Sequence, residues 1–353
     1  MRDVAIVSFA QTPSVRRDER NEPEMIAPVV TEALERSGIP RNEIGFTVSG
    51  SSDFVAGIPF SFVSGLDAIG AWPPIQESHV EMDGAWALYE AWVRLQHGDV
   101  DSALVYAFGR SSMGDLGEVL TLQLDPYTLG PLWPDAVSLA ALQARALLDS
   151  GKATERDLAG VASRSRRSAI DNPNAQVSGE FDADALLEEP YVASPLRRHD
   201  LPPISDGAAA IVLAAGDLAR RVSERPVWIR GIDHRIEPHS LGARDLTTSP
   251  STRTAAERTG ALSGGVDLAE IHAPFTHQEL ILADALGLGD GVTVNPSGGA
   301  LAANPIMTAG LIRFGEAATR LSQNGATRAI AHATSGPCLQ QNLVAVLETE
   351  GAA

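Results

Sequence analysis

The chain has 353 residues, 44% of them hydrophobic, so it is long enough for two or three average domains and for a large buried core. Its net charge of -18 argues against a surface that binds nucleic acid or an anionic membrane. A single cysteine, Cys338, excludes an intrachain disulfide and is typical of a reducing compartment. We expect a cytoplasmic protein, because no apolar run approaches the ~20 residues that span a bilayer and the N-terminus lacks the architecture of a signal peptide.

The first half of the chain alternates strand and helix patterns. Residues 4–9 predict a strand, and residues 25–37 predict an amphipathic helix. A second helix is expected to begin near Gly84 and to end at Gly98. The apolar run 103–109 that follows is typical of a fully buried parallel strand.

The middle of the chain, residues 109–203, is rich in loops and in proline. It holds one strong helix pattern, over residues 139–150. A boundary is predicted at residues 215–226, where the periodic patterns stop. We therefore predict an N-terminal half over residues 1–215, containing the loop-rich insertion, and a C-terminal half over residues 216–353.

The second half repeats the order of the first. A strand pattern over residues 266–271 ends at His272, and a helix pattern begins near Glu279. Gly298 and Gly299 precede a run of small residues, a pattern that lets backbone approach a bound group and then opens a helix. Two similar halves of alternating strands and helices predict parallel-rich sheets with helices between and outside them.

Motifs in both halves carry a resemblance to a known family. The matching residues are His272, Phe275, Glu279 and the Gly298-Gly299 pair, with Asn172-Pro173-Asn174-Ala175 and Asp206-Gly207-Ala208-Ala209 earlier in the chain. In this pattern the chain resembles the thiolase superfamily, and most closely the sterol-carrier or lipid-transfer thiolases, over nearly its whole length. The resemblance implies an α/β thiolase fold with two similar βαβαβαββ halves in a five-layered αβαβα arrangement. Dimerisation across a central strand is usual in that fold.

The nucleophile position of the family is changed in this sequence. Thiolases carry a nucleophilic cysteine in a Cys-x-x-Gly elbow, and alignment on Gly84 puts Glu81 at the cysteine position. The resemblance therefore implies that there is no thiol to acylate. Glu81 could act as a general base if burial raised its pKa, and a solvated loop carboxylate is the alternative. Asp83 is a second candidate base.

Two of the other catalytic positions also differ from the family, and one is kept. Gly336 takes the place of the family's second cysteine, and Cys338 follows two residues later, either lining the pocket or as a buried inert thiol. Asn304 stands where the family has the histidine of His-Pro, and it can donate a hydrogen bond to an oxyanion but cannot shuttle a proton. His272 keeps a family position that polarises the thioester carbonyl, with a core histidine bonded to backbone as the alternative. The candidate substrate-binding residues are Gly298, Gly299, His332, Gly336 and Cys338.

Such a site predicts an enzyme that can hold a thioester enolate without forming an acyl-enzyme. The resemblance implies a retro-aldolase that cleaves a β-hydroxyacyl-CoA carrying a steroid or another bulky acyl group. It also implies a homodimer or a heteromer with a thiolase-like paralogue, together with an OB-fold partner protein. We expect no cofactor and no metal, because the CoA thioester is itself the substrate. The alternatives are a catalytically silent lipid- or acyl-CoA-binding or scaffold subunit, and a working thiolase that uses Cys338.

Overall fold

The computed structural model describes residues 1–323 and 325–350. The strands are β1 (Val4–Gln11), β2 (Phe46–Gly50), β3 (Glu77–Val80), β4 (Ser102–Arg110), β5 (Tyr191–Ala193), β6 (Leu196–Arg197), β7 (Asp206–Ala215), β8 (Val227–Ile236), β9 (Leu268–Ile271), β10 (Thr293–Val294), β11 (Arg328–Ser335) and β12 (Gln341–Thr349). The helices are α1 (Glu22–Ser37), α2 (Asp53–Ala56), α3 (Val63–Ile69), α4 (Gly84–His97), α5 (Leu116–Leu122), α6 (Ala136–Asp149), α7 (Glu155–Ser168), α8 (Ala183–Leu187), α9 (Gly216–Val222), α10 (Pro250–Thr259), α11 (Thr276–Ala285), α12 (Gly299–Ala302) and α13 (Ala309–Gln323).

Ten strands form one sheet in which each half of the chain contributes the same pattern. The strand order is β10-β9-β11-β12-β8-β1-β7-β4-β2-β3. Numbered within its own half, each set of five strands runs 1-5-4-2-3 from the centre outwards. The antiparallel and parallel pairings also agree between the halves. Antiparallel pairing of β1 with β8 joins them, and this repeated α/β organisation is the fold that the sequence predicts.

Three apolar cores fill the four spaces between five layers, because the central core lies on both sides of the middle helical layer. The central core contains α4 and α13 between strands of both halves, with Leu88 and Phe314 fully buried. A second core packs α1 against the outer face of the N-terminal strands. A third packs α10 and α11 against the outer face of the C-terminal strands. Each half-sheet is apolar on both of its faces. Helices therefore cover the inner face, between the two half-sheets, and the outer face of each.

Local signals set the ends of the helices. Asn21 caps α1 in a capping box with Glu24, and Gly38 ends the helix in the left-handed conformation. Asp83 caps α4, and Gly98 ends it in the same way. The predicted helix over 139–150 begins three residues earlier in the structure, because Asp135 caps α6. No helix in the described part of the chain is long and apolar enough to cross a membrane.

Candidate functional site

The candidate residues meet at the carboxyl ends of two neighbouring strands. His272 directly follows β9, and His332 lies in the neighbouring parallel strand β11. The backbone N–H of His272 donates to the carbonyl oxygen of His332 at 3.2 Å. Asn304 follows α12, and Asp83 caps α4. Carboxyl ends of parallel strands share one edge of a sheet, which is where α/β folds place ligands. The central helices α4 and α13 begin at this edge.

His272 and Asn304 form a buried polar pair. Nε2 of His272 lies 3.0 Å from Oδ1 of Asn304, and each residue is only 7% exposed. Nδ1 of His272 is buried without a hydrogen-bond partner among the described residues. Burial lowers the pKa of His272, and the nearby negative charge of Asp83 opposes that shift in part. Nδ1 is therefore the one polar ring atom that a bound group could engage, as a donor or as an acceptor according to the tautomer.

Asp83 holds the N-termini of the two central helices together. Its Oδ1 accepts from the backbone N–H groups of Ala85 at 2.8 Å and Leu311 at 3.0 Å. Its Oδ2 accepts from the N–H of Gly310 at 2.9 Å. The side chain is buried, and three N–H donors take three of the roughly four lone-pair sites of the carboxylate. This geometry satisfies helix ends that would otherwise be unbonded.

Glu81 has a different environment from the other candidates. It is exposed, and its Oε1 accepts from the backbone N–H of Asp53 at 2.7 Å. The structure therefore brings Asp83, His272 and Asn304 together in buried surroundings and leaves Glu81 in contact with solvent. The burial on which a role of Glu81 as general base depends is not present in the described chain.

His332 is fully buried and has a defined tautomer. Its Nε2 lies 3.1 Å from Oδ1 of Asn342, whose amide nitrogen donates to Ser251 Oγ and to the Leu339 carbonyl, both at 2.8 Å. Those bonds fix the orientation of the amide, so Nε2 carries the proton and Nδ1 is a bare acceptor. Burial lowers the pKa of His332 to about 3, so its ring is neutral at neutral pH.

The glycine pair contacts protein on both sides. Gly298 has φ 97°, and a Cβ there would lie 2.6 Å from Ala302 Cβ and 2.7 Å from Ala169 Cβ. A Cβ on Gly299, at φ 63°, would lie 2.8 Å from the Asn295 side chain. The glycines therefore allow α12 to pack closely against α7. Their backbone contact with a substrate stays a prediction.

Comparison with known proteins places this geometry in a family context. No protein-family model matches the chain. The chain is 27% identical over 369 residues to an acetyl-CoA acetyltransferase of Methanothermobacter thermautotrophicus, covering 95% of each sequence. It is 26% identical over 304 residues to the 17-hydroxy-3-oxo-4-pregnene-20-carboxyl-CoA lyase of Mycobacterium tuberculosis, covering 80% of this chain and 78% of the lyase.

A solved structure agrees with the sequence comparison. The Ltp2-ChsH2(DUF35) aldolase superposes with a TM-score of 0.83 at 19% identity, over 99% of this chain and 98% of that one. The chain is therefore similar, over most of its length, to proteins of the thiolase type. The predicted thiolase fold is confirmed, and the resemblance to sterol-carrier thiolases agrees with 23% identity over 299 residues to sterol carrier protein 2 of Homo sapiens, covering 74% of this chain and 54% of that protein.

The single cysteine of this chain is not an activated thiol. Cys338 is buried, its Sγ donates to the Leu139 carbonyl at 3.4 Å, and burial raises the pKa of its thiol to about 11. The thiolate is the nucleophilic form of cysteine, so at neutral pH Cys338 is inert. Gly336, with φ 75°, forms the preceding turn, and a Cβ there would lie 2.7 Å from Gln340 Oε1.

Two residues that support the site were not predicted from the sequence. Ser205 receives the backbone N–H of Asn304 on its Oγ at 3.0 Å, and so ties the Asn304 loop to the start of β7. Asn342 holds His332, as described above. Ser205 could have been found, because it directly precedes the matched Asp206-Gly207 motif. Asn342 lies in an apolar strand pattern, and nothing local indicates its partner.

Proposed function

We propose that this protein cleaves a β-hydroxyacyl-CoA by a retro-aldol reaction. The buried pair of His272 and Asn304, with the unpartnered Nδ1 of His272, is the observation on which the proposal depends. Similarity to a steroid carboxyl-CoA lyase and to an aldolase supports this reaction, and the buried state of Cys338 counts against the acyl transfer named for the acetyltransferase relative. A bulky acyl group such as a steroid side chain is the proposed substrate, because the similar lyase is named for a steroid carboxyl-CoA.

The reaction needs one base and one group that stabilises negative charge. A base removes the proton of the β-hydroxyl, the bond between Cα and Cβ breaks, and Cβ becomes the carbonyl of a ketone or aldehyde. The bonding electrons pass into the thioester as an enolate, which takes a proton at Cα to give the shortened acyl-CoA. Nδ1 of His272 donates to the enolate oxygen in the tautomer that carries the proton on Nδ1; Nε2 is then an acceptor, which requires the Asn304 amide to turn so that its nitrogen replaces Oδ1, now 3.0 Å from Nε2.

Glu81 is the proposed base. Its Oε1 accepts one backbone N–H and its Oε2 has no partner among the described residues, whereas three donors take three of the roughly four lone-pair sites of Asp83. An exposed carboxylate suits this role only when substrate or a partner protein covers it, because a general base acts within hydrogen-bond reach of the proton it removes. The small OB-fold partner that the resemblance implies would then complete the site.

The buried state of Cys338 supports a route without an acyl-enzyme. A thioester intermediate requires a thiolate, and burial keeps this thiol protonated. The direct retro-aldol step needs no covalent bond to the protein. Its requirements match the residues that are present.

A silent binding or scaffold subunit is the second candidate function, and the exposure of Glu81 favours it. Without a covered base the site could hold an acyl-CoA and leave the chemistry to another chain. The name of the Ltp2-ChsH2 aldolase joins two proteins, and this supports a heteromeric assembly. The edge strand β3 is a proposed contact surface for a second copy or paralogue, because exposed Phe60 and Trp72 lie in the segment leading into it.

The test is an assay of the purified chain, alone and with a candidate OB-fold partner, on a β-hydroxyacyl-CoA of a steroid side chain. Mass spectrometry would detect the shortened ketone or aldehyde together with acetyl- or propionyl-CoA. We expect product with the wild type and a loss of about 10²-fold or more in His272→Gln and Glu81→Gln. His97→Gln, an exposed histidine at the end of α4, is the matched control.

The outcomes separate the two functions. Product that survives Glu81→Gln but not His272→Gln would remove Glu81 as the base. Bound ligand with no product in any pairing would refute the aldolase and leave the binding subunit.

A further inference from the structure

The short helix α12 is held to one face of β9 at both of its ends. Glu270 and His272 are two residues apart, so their side chains project from the same face of this strand. Ser297, two residues before α12, is bonded to Glu270. Asn304, two residues after α12, lies 3.0 Å from His272. The segment 297–304 therefore bridges two neighbouring side chains of β9.

The bonds at the start of α12 are made by the carboxylate of Glu270. Its Oε1 accepts from the backbone N–H of Ser297 at 2.9 Å, and its Oε2 accepts from the Ser297 hydroxyl at 2.7 Å. The Ser297 hydroxyl oxygen in turn accepts from the backbone N–H of Gly299, the first residue of α12, at 3.2 Å. The Ser297 carbonyl is bonded separately, to Asn172 Nδ2 at 2.9 Å. Glu270 thus holds both the backbone and the side chain of Ser297.

Arg313 holds the Glu270 carboxylate in place. Its Nη1 donates to Oε2 of Glu270 at 2.6 Å and to the Ser297 hydroxyl oxygen, and its Nε donates to the Ala309 carbonyl at 3.3 Å. Glu270 is fully buried and Arg313 is 3% exposed. Burial raises the pKa of Glu270, and the charge of Arg313 opposes that shift. A buried ion pair often adds no stability over well-packed apolar residues of similar volume, so stability alone does not account for this one.

A displacement at the start of α12 reaches His272 through a short and tightly packed path. The residues between Ser297 and Asn304, 298–303, are all buried. Closely packed interiors transmit a shift instead of absorbing it. The distance between Asn304 and the His272 ring therefore depends on where Ser297 is held.

We propose that Glu270 and Arg313 are positioning residues, which set the place of Asn304 through Ser297 and α12 and so fix the orientation and tautomer of the His272 ring. This role rests on the proposed function, in which Nδ1 of His272 donates to the enolate oxygen. That donation requires the Asn304 amide to stay within hydrogen-bond distance of Nε2, because the bond at one ring nitrogen selects the tautomer of the other. The ion pair acts on the reaction only through this path.

Three variants test the ion pair and its link to α12. Ser297→Ala removes the hydroxyl that joins them and leaves both charges paired. Glu270→Gln removes one charge, and Glu270→Gln combined with Arg313→Met removes both. Glu22→Gln is the matched control, because Glu22 forms a partly buried ion pair with Arg110 at 2.9 Å in the first turn of α1, on the outer face of the N-terminal strands.

Kinetics and ligand binding separate a positioning role from loss of substrate contacts. The substrate is a β-hydroxyacyl-CoA, and calorimetry with the saturated acyl-CoA of the same chain, which has no β-hydroxyl to react, measures binding. We expect kcat to fall by about tenfold to 10²-fold in all three variants, with the Kd of the saturated acyl-CoA within about twofold of wild type. Both quantities should stay within about twofold in Glu22→Gln.

Thermal denaturation of the same variants controls for folding. The double variant should have a higher Tm than Glu270→Gln, because it leaves no unpaired charge in the interior. Its kcat should nevertheless stay low, since Asn304 is no longer held through the Glu270 carboxylate. Recovery of kcat together with Tm in the double variant would overturn the proposal, because a purely structural role would then explain the pair.

The ring nitrogens of His272 give a second readout that does not require activity. Nitrogen NMR on protein with isotope-labelled histidines reports the tautomer and hydrogen bonding of each ring, and His272→Gln assigns the signals. We expect the His272 signals to shift in Ser297→Ala and in Glu270→Gln. The His332 signals should not move, because that ring is held by Asn342. Unchanged His272 signals in both variants would overturn the positioning role.

The two readouts distinguish this proposal from the proposed function. A wild type that cleaves no β-hydroxyacyl-CoA would refute the aldolase, while shifted His272 signals in Ser297→Ala would still support the positioning of the ring by the ion pair. Cleavage by the wild type with kcat unchanged in all three variants would overturn the positioning role and leave the aldolase intact.

Discussion

Replacement of Asp83 by asparagine separates a structural role from a catalytic one. The new amide side chain would keep one acceptor oxygen, which can serve the two N–H groups now bonded to Oδ1. Its amide nitrogen would then face the N–H of Gly310, at the position where Oδ2 accepts at 2.9 Å. A buried donor without an acceptor costs about 1–3 kcal/mol, and neutral bonds replace charge-assisted ones at the other two positions.

These contributions predict a loss of about 2–4 kcal/mol in the free energy of unfolding for Asp83→Asn. Asp83→Ala leaves all three N–H groups without an acceptor and should cost about 3–7 kcal/mol. Urea denaturation followed by circular dichroism measures both. Asp135→Asn is the matched control: Asp135 caps α6 by accepting from Ser138 N–H, but it is exposed, so a change within about 1 kcal/mol is expected.

One result would refute this reasoning. If Asp83→Asn unfolds at the same urea concentration as the wild type and abolishes cleavage of the β-hydroxyacyl-CoA, then Asp83 is a free reacting carboxylate. The link between α4 and α13 would then have to come from apolar packing alone.

Three further predictions follow from buried groups. Burial lowers the pKa of His332 to about 3, so between about pH 6.5 and pH 3 the unfolded chain binds a proton on this ring that the folded chain does not. The free energy of unfolding therefore falls by up to about 1.4 kcal/mol for each pH unit below 6.5. His332→Gln should make the free energy of unfolding fall less steeply over this pH range. Gly298→Ala should destabilise by about 1–3 kcal/mol, because its Cβ would clash with Ala302 and Ala169. Cys338 should react with a thiol reagent at neutral pH only at the rate of unfolding, as followed by mass spectrometry.

Each of these predictions has a control variant or a result that would contradict it. Gly260→Ala has a similar φ of 76° and open space around the new Cβ, so it should cost clearly less than Gly298→Ala. An unchanged pH profile in His332→Gln would mean that the ring titrates normally in the folded protein. Rapid labelling of Cys338 in the native state would show an accessible thiolate and reopen acyl transfer through this residue.

Much of the fold follows from the sequence because its signals are local. Glycines such as Gly38 and Gly98 end helices wherever they occur, since the left-handed conformation suits them regardless of distant contacts. The repeated order of strands and helices is also visible along the chain. Exact bounds were less predictable: the strand predicted over residues 266–271 begins at Leu268, because pairing with β11 determines where it starts.

The candidate site depends on contacts that no local pattern contains. Glu81 and Asp83 are two residues apart and chemically alike, yet one is exposed and the other is buried among three N–H donors. Two of those donors lie 227 and 228 residues further along the chain, at the start of α13. The sequence by itself determined the alternating elements, the paired glycines and the presence of one cysteine. The tertiary structure alone decided that Asp83, and not Glu81, accepts hydrogen bonds from three backbone N–H groups. It also decided that Nδ1 of His272 has no hydrogen-bond partner among the described residues. Burial and hydrogen bonding depend on elements that meet only when the two halves fold together.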